Sequence, residues 1–166
     1  MKKSYSLLIL FLFVLTSCAG QTLIKPETDF KIKGQKRAFL TVVTSIKESE
    51  NEIQQIEKCL RERLQNTNIF SRITEKINDA DLNIKVEIDE LVKVSKSERF
   101  LFGAMAGRAK IVGKVFLIEV SSGNVLGSFR VEALSSGGTI FAGTTEEVIG
   151  KFADEIVKYL VENTVN

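Results

Sequence analysis

Two thiols, a scatter of carboxylates and no histidine define what the side chains of this chain can do chemically. Without imidazole the commonest general base and the commonest neutral metal ligand are missing, which excludes Ser-His, Cys-His and His-metal chemistry. Cys18 stands directly behind an apolar run and two small residues, where a thiol can carry a lipid through a thioether. Cys59 follows Ile56 by three positions near the apolar stripe of a helical pattern. It reads as a buried inert thiol, against the alternatives of an intermolecular bridge or a nucleophile. With Cys18 modified, Cys59 has no partner for an internal disulfide. Asp79 and Asp81 lie in a turn and are too few to hold a metal. Asp89 and Glu90 supply the carboxylates that an enzyme or small-ligand carrier would use, with no constellation around them. The sequence calls for no catalytic residue, no cofactor and no metal.

The surroundings of Cys18 carry the most specific signal. A basic start, Met1-Lys2-Lys3, precedes the unbroken apolar run LLILFLFVL from Leu7 to Leu15. A helix needs about 20 apolar residues to span a bilayer, so this run suits the core of a signal peptide. Leu15-Thr16-Ser17-Cys18 then resembles the bacterial lipobox: a branched apolar residue, two small residues and the cysteine that is acylated before cleavage. Residues 1–17 are accordingly expected to be a lipoprotein signal peptide, with Cys18 the site of lipid attachment. The alternative is a secretory signal cut after Ala19, because Ser17-Cys18-Ala19 also fits a small-x-small site. One acyl chain holds a protein only marginally, whereas two or three anchor it firmly. Residue 19 is Ala where an Asp would favour retention in the inner membrane of a Gram-negative cell. Resemblance to that sorting rule implies the outer membrane, with the domain in the periplasm.

Of the 23 basic residues, Lys2 and Lys3 precede Cys18, which leaves 21 against 21 acidic ones. A formally neutral domain lacks the clustered Lys and Arg that bind nucleic acid through its phosphates, so that partner class is excluded. A chain of 166 residues is one ordinary domain.

The elements that must position these residues follow from periodicity. Residues 18–36, with the one Pro, read as a lipidated N-terminus and tether, and residues 37–166 as a single domain. Ala38–Thr44 reads as a buried strand. Ser49 and Glu52 form a capping box for a helix from Glu50 to Gln65, with Ile53, Ile56, Leu60 and Leu64 at helical spacing. Phe70–Ile77 is a short strand, and Asn78–Asp81 a turn. Leu82, Ile84, Val86 and Ile88 alternate with polar residues along a half-buried strand. Strands over Ala109–Val120 and Val125–Leu134 flank the hairpin turn Ser121-Ser122-Gly123-Asn124. Thr144 and Glu147 cap a last helix carrying Val148, Ile149, Phe152, Ile156, Val157 and Leu160 on one stripe. The expected fold is α+β: a mixed, mainly antiparallel sheet with two helices packed on one face.

The run Gly103-Ala104-Met105-Ala106-Gly107-Arg108-Ala109-Lys110, the hairpin Ser122-Gly123-Asn124-Val125-Leu126-Gly127, Ser135-Ser136-Gly137-Gly138 and Gly143-Thr144-Thr145-Glu146-Glu147 together carry a family resemblance. Over residues 37–160 the chain resembles the bacterial lipoproteins grouped as domain of unknown function 4410. That resemblance implies a small secreted or lipid-anchored envelope protein, and brings no activity or catalytic residue with it.

Two segments remain as candidate sites. Phe100-Leu101-Phe102-Gly103-Ala104-Met105-Ala106-Gly107 joins two long strands and is apolar for a connection. Lys93, Lys96, Arg99, Arg108, Lys110 and Lys114 surround it against Glu98 alone. The expectation is that Phe100 and Phe102 fold back into the core. The alternative is a docking tip of Phe100, Leu101, Phe102 and Met105, collared by Arg99 and Arg108, for a partner or anionic lipid. Gly103 and Gly107 also carry a Gly-x-x-x-Gly spacing, which has force mainly in membrane helices. Ser135 to Thr144 leads into a helix start that can bind anions, but Glu146 and Glu147 occupy its first turn and favour a capping role. The sequence thus points to a lipid-anchored, non-enzymatic envelope module that binds an envelope protein or polymer. A carboxylate enzyme or small-ligand carrier, or a subunit of a multimeric envelope assembly, are the alternatives.

Overall fold

The structure is a computed structural model and describes residues 20–34, 36–47, 49–137 and 143–165. The expected signal peptide, Cys18 and Ala19 therefore lie outside the described residues, as does Gly138.

Six strands form one mixed sheet in the order β1-β7-β6-β5-β3-β4. They are β1 (Thr22–Pro26), β3 (Lys36–Thr44), β4 (Phe70–Thr74), β5 (Leu82–Val92), β6 (Lys110–Glu119) and β7 (Val125–Leu134). β3 runs parallel to both β4 and β5, while β5, β6, β7 and β1 pair antiparallel in succession. A two-residue β2 (Ile32–Lys33) pairs parallel with β8 (Thr164–Val165) at the C-terminus.

Alternation builds the core face of the sheet: Leu82, Ile84, Val86 and Ile88 of β5 are all buried, as are Ala38, Leu40 and Val42 of β3. Helix α1 (Glu50–Gln65) lays Ile56, Leu60 and Leu64 over β3 and β4. Helix α3 (Thr145–Glu162) lays Val148, Phe152, Ile156 and Leu160 over β6 and β7, and the two helices pack on each other. This is the α+β arrangement read from the sequence, with both long helices on one face. The opposite face carries half-buried charges in ion pairs, among them Arg130–Asp89 at 2.8 Å and Lys114–Glu27 at 3.2 Å. At one edge Phe30, Phe129 and Tyr159 form an aromatic cluster. Gly127 lets Phe30 lie against the backbone there, since a Cβ at that position would overlap the Phe30 ring.

Three expectations change. The tether over residues 18–36 is part of the domain from Gln21 onward: Thr22 to Pro26 forms an edge strand opposite Ala133 to Phe129, and Phe30 and Ile32 are buried. Ser49 does not make the expected capping box. Its hydroxyl donates to the Ile46 carbonyl at 2.8 Å, and Glu52 pairs with Lys93 instead. The connection between β5 and β6 is helical: α2 (Lys96–Phe102) followed by a 3-10 turn over Gly103–Ala106.

Candidate functional site

Helix α2 begins with a reciprocal capping box. The Glu98 N–H donates to Ser95 Oγ at 3.1 Å, and the Ser95 N–H donates to Glu98 Oε2 at 2.7 Å. The Ser95 N–H, and after it the Ser95 hydroxyl at 2.7 Å, donate to the Glu98 carboxylate and hold it below the usual range. Ser95-x-x-Glu98 is legible in the sequence and signals a helix start inside the connection between β5 and β6.

One residue later the burial pattern inverts. Arg99 is 1% exposed, and its Nη2 donates to the carbonyls of Gly107 at 2.5 Å and Gly143 at 2.9 Å. Both glycines have positive φ, +80° and +92°. At Gly143 a Cβ would run into the guanidinium, so only glycine offers its carbonyl there. Phe100, Leu101, Phe102 and Met105 are by contrast 72%, 71%, 60% and 92% exposed. Helix geometry accounts for the first two of these. Successive residues are turned by about 100°, so with Arg99 inward Phe100 and Leu101 are turned away from the body, while Phe102 is exposed at the last position of the helix.

The expected return of Phe100 and Phe102 to the core is therefore corrected: both are exposed, and the buried side chain of this helix is that of Arg99. Arg99 is corrected as a partner-binding residue, because it is a buried rivet between α2 and two carbonyls. Arg108 is exposed and lies against Gly137. The basic collar is largely neutralised within the domain: Lys93 pairs with Glu52, Lys96 with Glu146, Lys110 with Glu90 and Glu132, and Lys114 with Glu27. Gly103 and Gly107 do not share a helix face, since Gly107 ends the 3-10 turn in a positive-φ conformation.

The start of α3 behaves as a cap. Thr144 Oγ1 accepts from the Glu147 N–H. Glu147 itself supplies the anion, accepting from the N–H groups of Ser136 at 2.8 Å and Gly143 at 2.5 Å and from Lys151 Nζ. Burial would push this carboxyl up, but the bonds from Lys151, Ser136 and Gly143 hold it at about 2. Lys151 also donates to Ser136 Oγ, which accepts from the Gly20 N–H at 3.2 Å. A continuous polar network thus joins Gly20, Ser136, Glu147, Gly143 and Arg99. The sequence contains no local signal for the whole of it, because its members come from four separate segments, around residues 20, 99, 136 and 143–147.

Acid chemistry finds no assembled site among the described residues. Asp89 accepts from Arg130 and Glu90 pairs with Lys110, each at the surface. Asp81 is bound by Arg37, whose side chain and backbone hold its carboxyl at about 2, so Asp81 has the structural role expected of the turn. No group of three or more Cys, Asp or Glu is placed to hold a metal among these residues. A groove of about 630 Å³ runs between the starts of α1 and α2, lined by the paired Glu52, Lys93, Lys96 and Glu146. Cys59 is half-buried, and its Sγ accepts from Arg63. Burial raises the thiol's pKa despite the opposing guanidinium, which favours its protonated form. No described helix is long and apolar enough to cross a membrane.

Comparison with known proteins adds the family and the fold. Residues 28–139 match the family model described as "Domain of unknown function (DUF4410)". No curated protein sequence matches the chain. Among solved structures, the PelC dodecamer from Paraburkholderia phytofirmans is similar with a TM-score of 0.60 and 14% identity, covering 88% of this chain and 100% of that chain. A Xanthomonas campestris protein of the family DUF330 is similar with a TM-score of 0.51 and 13% identity, covering 88% of this chain and 94% of that chain. At such identities the likeness concerns the fold.

Proposed function

We propose, from the premise that this chain belongs to the DUF4410 family, that it is a lipid-anchored envelope protein whose work is docking, not catalysis. The observation that carries the reading is helix α2, which buries a charge and presents Phe100, Leu101, Phe102 and Met105 to the outside. A contiguous exposed apolar patch is the surface feature that folding alone does not call for. The engaged state of Asp89, Glu90, Asp81 and Glu147 supports a non-catalytic role, since each carboxylate already serves a cation or backbone donor.

In this reading Cys18 is acylated and becomes the first residue of the mature protein. Ala19 directs it to the outer membrane, and the domain lies in the periplasm. The polar sheet face and α2 are the contact surfaces for an envelope protein or polymer. A second reading, a subunit of a multimeric assembly, is favoured by one observation: the PelC structure that shares the fold is a dodecamer.

The test is a mass measurement of the natural mature protein alongside Cys18→Ala. The proposal expects an acylated N-terminal cysteine and membrane fractionation, and Cys18→Ala recovered soluble or uncleaved. An unmodified polypeptide starting beyond Cys18 overturns it. Native mass analysis of the delipidated domain decides the second reading.

A further inference from the structure

The chain enters the described structure at Gly20, and this entry is fixed in place. The Gly20 N–H donates to Ser136 Oγ, and the Gln21 carbonyl accepts from the Leu134 N–H at 2.7 Å. A Cβ at Gly20 would collide with the Leu134 carbonyl and the Lys151 side chain, so the backbone is pressed against the body.

Strand register shows which end of the sheet this is. Thr22 stands opposite Ala133, Ala133 opposite Ile111, and Ile111 opposite Leu91. These residues form one row across β1, β7, β6 and β5, about 14 Å wide at roughly 4.8 Å per strand spacing. β5 ends at Val92, one residue past that row, and α2 starts at Lys96. The N-terminal entry and the apolar helix therefore emerge from the same end of the sheet. Cys18 lies two residues before Gly20, a contour of about 7 Å. The polar network from Gly20 through Ser136, Glu147 and Gly143 to Arg99 makes the entry and the helix one mechanical unit.

We propose that α2 and the turn after it enter the bilayer surface beside the lipid on Cys18, with Phe100, Leu101, Phe102 and Met105 as the wedge. This rests on the lipid-anchor reading, assigns the exposed patch of α2 to the membrane, and leaves the polar sheet face as the contact surface for an envelope protein or polymer. An acyl chain at Cys18 brings this end of the sheet to the lipid, and the end of β5 from which α2 departs lies within the width of four strands of the entry. Apolar faces of this kind settle about 5–10 Å into the headgroup and acyl boundary. The exposed Lys96 and Arg108 can lay their stems along the apolar surface and keep their charges in water. Because Lys93, Lys96 and Lys110 are already paired with acids, insertion is apolar in character and does not require anionic lipid. The wedge stands the strands upright on the membrane, and the Ser121–Asn124 hairpin faces away from it.

The chain has no Trp, so a single introduced Trp is an exclusive optical probe. Full-length acylated protein carrying Phe102→Trp is reconstituted in phosphatidylcholine vesicles, with and without brominated acyl chains. Leu126→Trp, at an exposed position beside the far hairpin, is the control. The expected result is a blue-shifted emission for the Phe102 probe and severalfold stronger quenching by brominated chains than for the control. Phe100→Trp, also at an exposed position, gives the same readout should the first variant misfold. Equal quenching of both probes while the protein floats with the vesicles overturns the wedge and leaves the anchor standing. Failure to float, with a mass lacking acyl chains, removes the anchor and the wedge together. A blue shift insensitive to brominated lipid and accompanied by a higher oligomer assigns the patch to a second copy. Quenching that appears only with phosphatidylglycerol assigns the contact to charge. Either of these last results also overturns the proposal.

Discussion

Helices α3 and α2 are neighbours joined through Gly143 and Arg99, yet they are turned inside out relative to each other. α3 buries Val148, Ile149, Phe152, Ala153, Ile156 and Leu160 and leaves its charges outside, which is the arrangement that apolar burial drives on its own. α2 buries Arg99 and leaves Phe100, Leu101 and Phe102 outside. The difference separates residues that hold the domain together from residues that it displays. In α3 hydrophobicity serves the fold. In α2 the fold, through one buried guanidinium and two glycine carbonyls, holds hydrophobic side chains where water would otherwise be their only neighbour.

The largest expected effect tests the folding side of this contrast. Phe152 is fully buried between α3 and the sheet, against Gly113 and Ile88. Phe152→Ala should cost about 3–5 kcal/mol, the transfer of the ring plus the cavity left behind. The check is a urea titration, in which the midpoint falls with little change in slope. Next comes the rivet. Arg99→Leu strands the Gly107 and Gly143 carbonyls without their charged donor and should cost about 3 kcal/mol. Hydrogen exchange should rise first in residues 96–107, because α2 loses its attachment before the sheet opens.

The contrast was only half legible in the sequence. α1 from Glu50 to Gln65, the alternation from Leu82 to Ile88 and the cap at Thr144 are local patterns, and periodicity exposes them. β1 escaped because edge strands carry weak alternation and because Thr22 finds its partner at Ala133, far along the chain. Ser95 and Glu98 did spell a helix start. The stretch after them lacks an amphipathic stripe facing the core, so periodicity reads it as a connection. Arg99 could not be placed from sequence at all. Its acceptors are backbone carbonyls at Gly107 and Gly143, created by positive-φ turns that no side-chain pattern encodes.

A smaller effect probes the clasp between the N-terminal entry and α2. Glu147 has its carboxyl held at about 2, against an ordinary value of 4.5. Its folded pKa is depressed, so its contribution is complete above the unfolded value and is lost as pH falls from about 4.5 towards 2. With its partial exposure to solvent the contribution is on the order of 2 kcal/mol. Glu147→Gln should remove most of that difference near neutral pH and flatten the acid limb of a stability-against-pH curve. An unchanged acid limb would mean that the clasp does not tie Gly20, Ser136 and Gly143 together energetically.

The smallest expected effect on stability is the most telling for the displayed helix. Phe100 and Phe102 are 72% and 60% exposed, so unfolding adds little to the apolar area they already show to water. The double variant Phe100→Ser, Phe102→Ser should therefore leave the urea midpoint within about 0.5 kcal/mol of the parent, as surface substitutions do. What should change is association: in the Cys18→Ala background the parent patch promotes self-association or adsorption to vesicles, and the serine variant should show less of both. Light scattering and vesicle flotation measure these on the same samples as the urea curve. Should the double variant instead lose stability on the scale of Phe152→Ala, the phenylalanines of α2 would belong to the core after all. The two helices would then obey one rule, and the outward face of α2 would have no claim to be a contact surface.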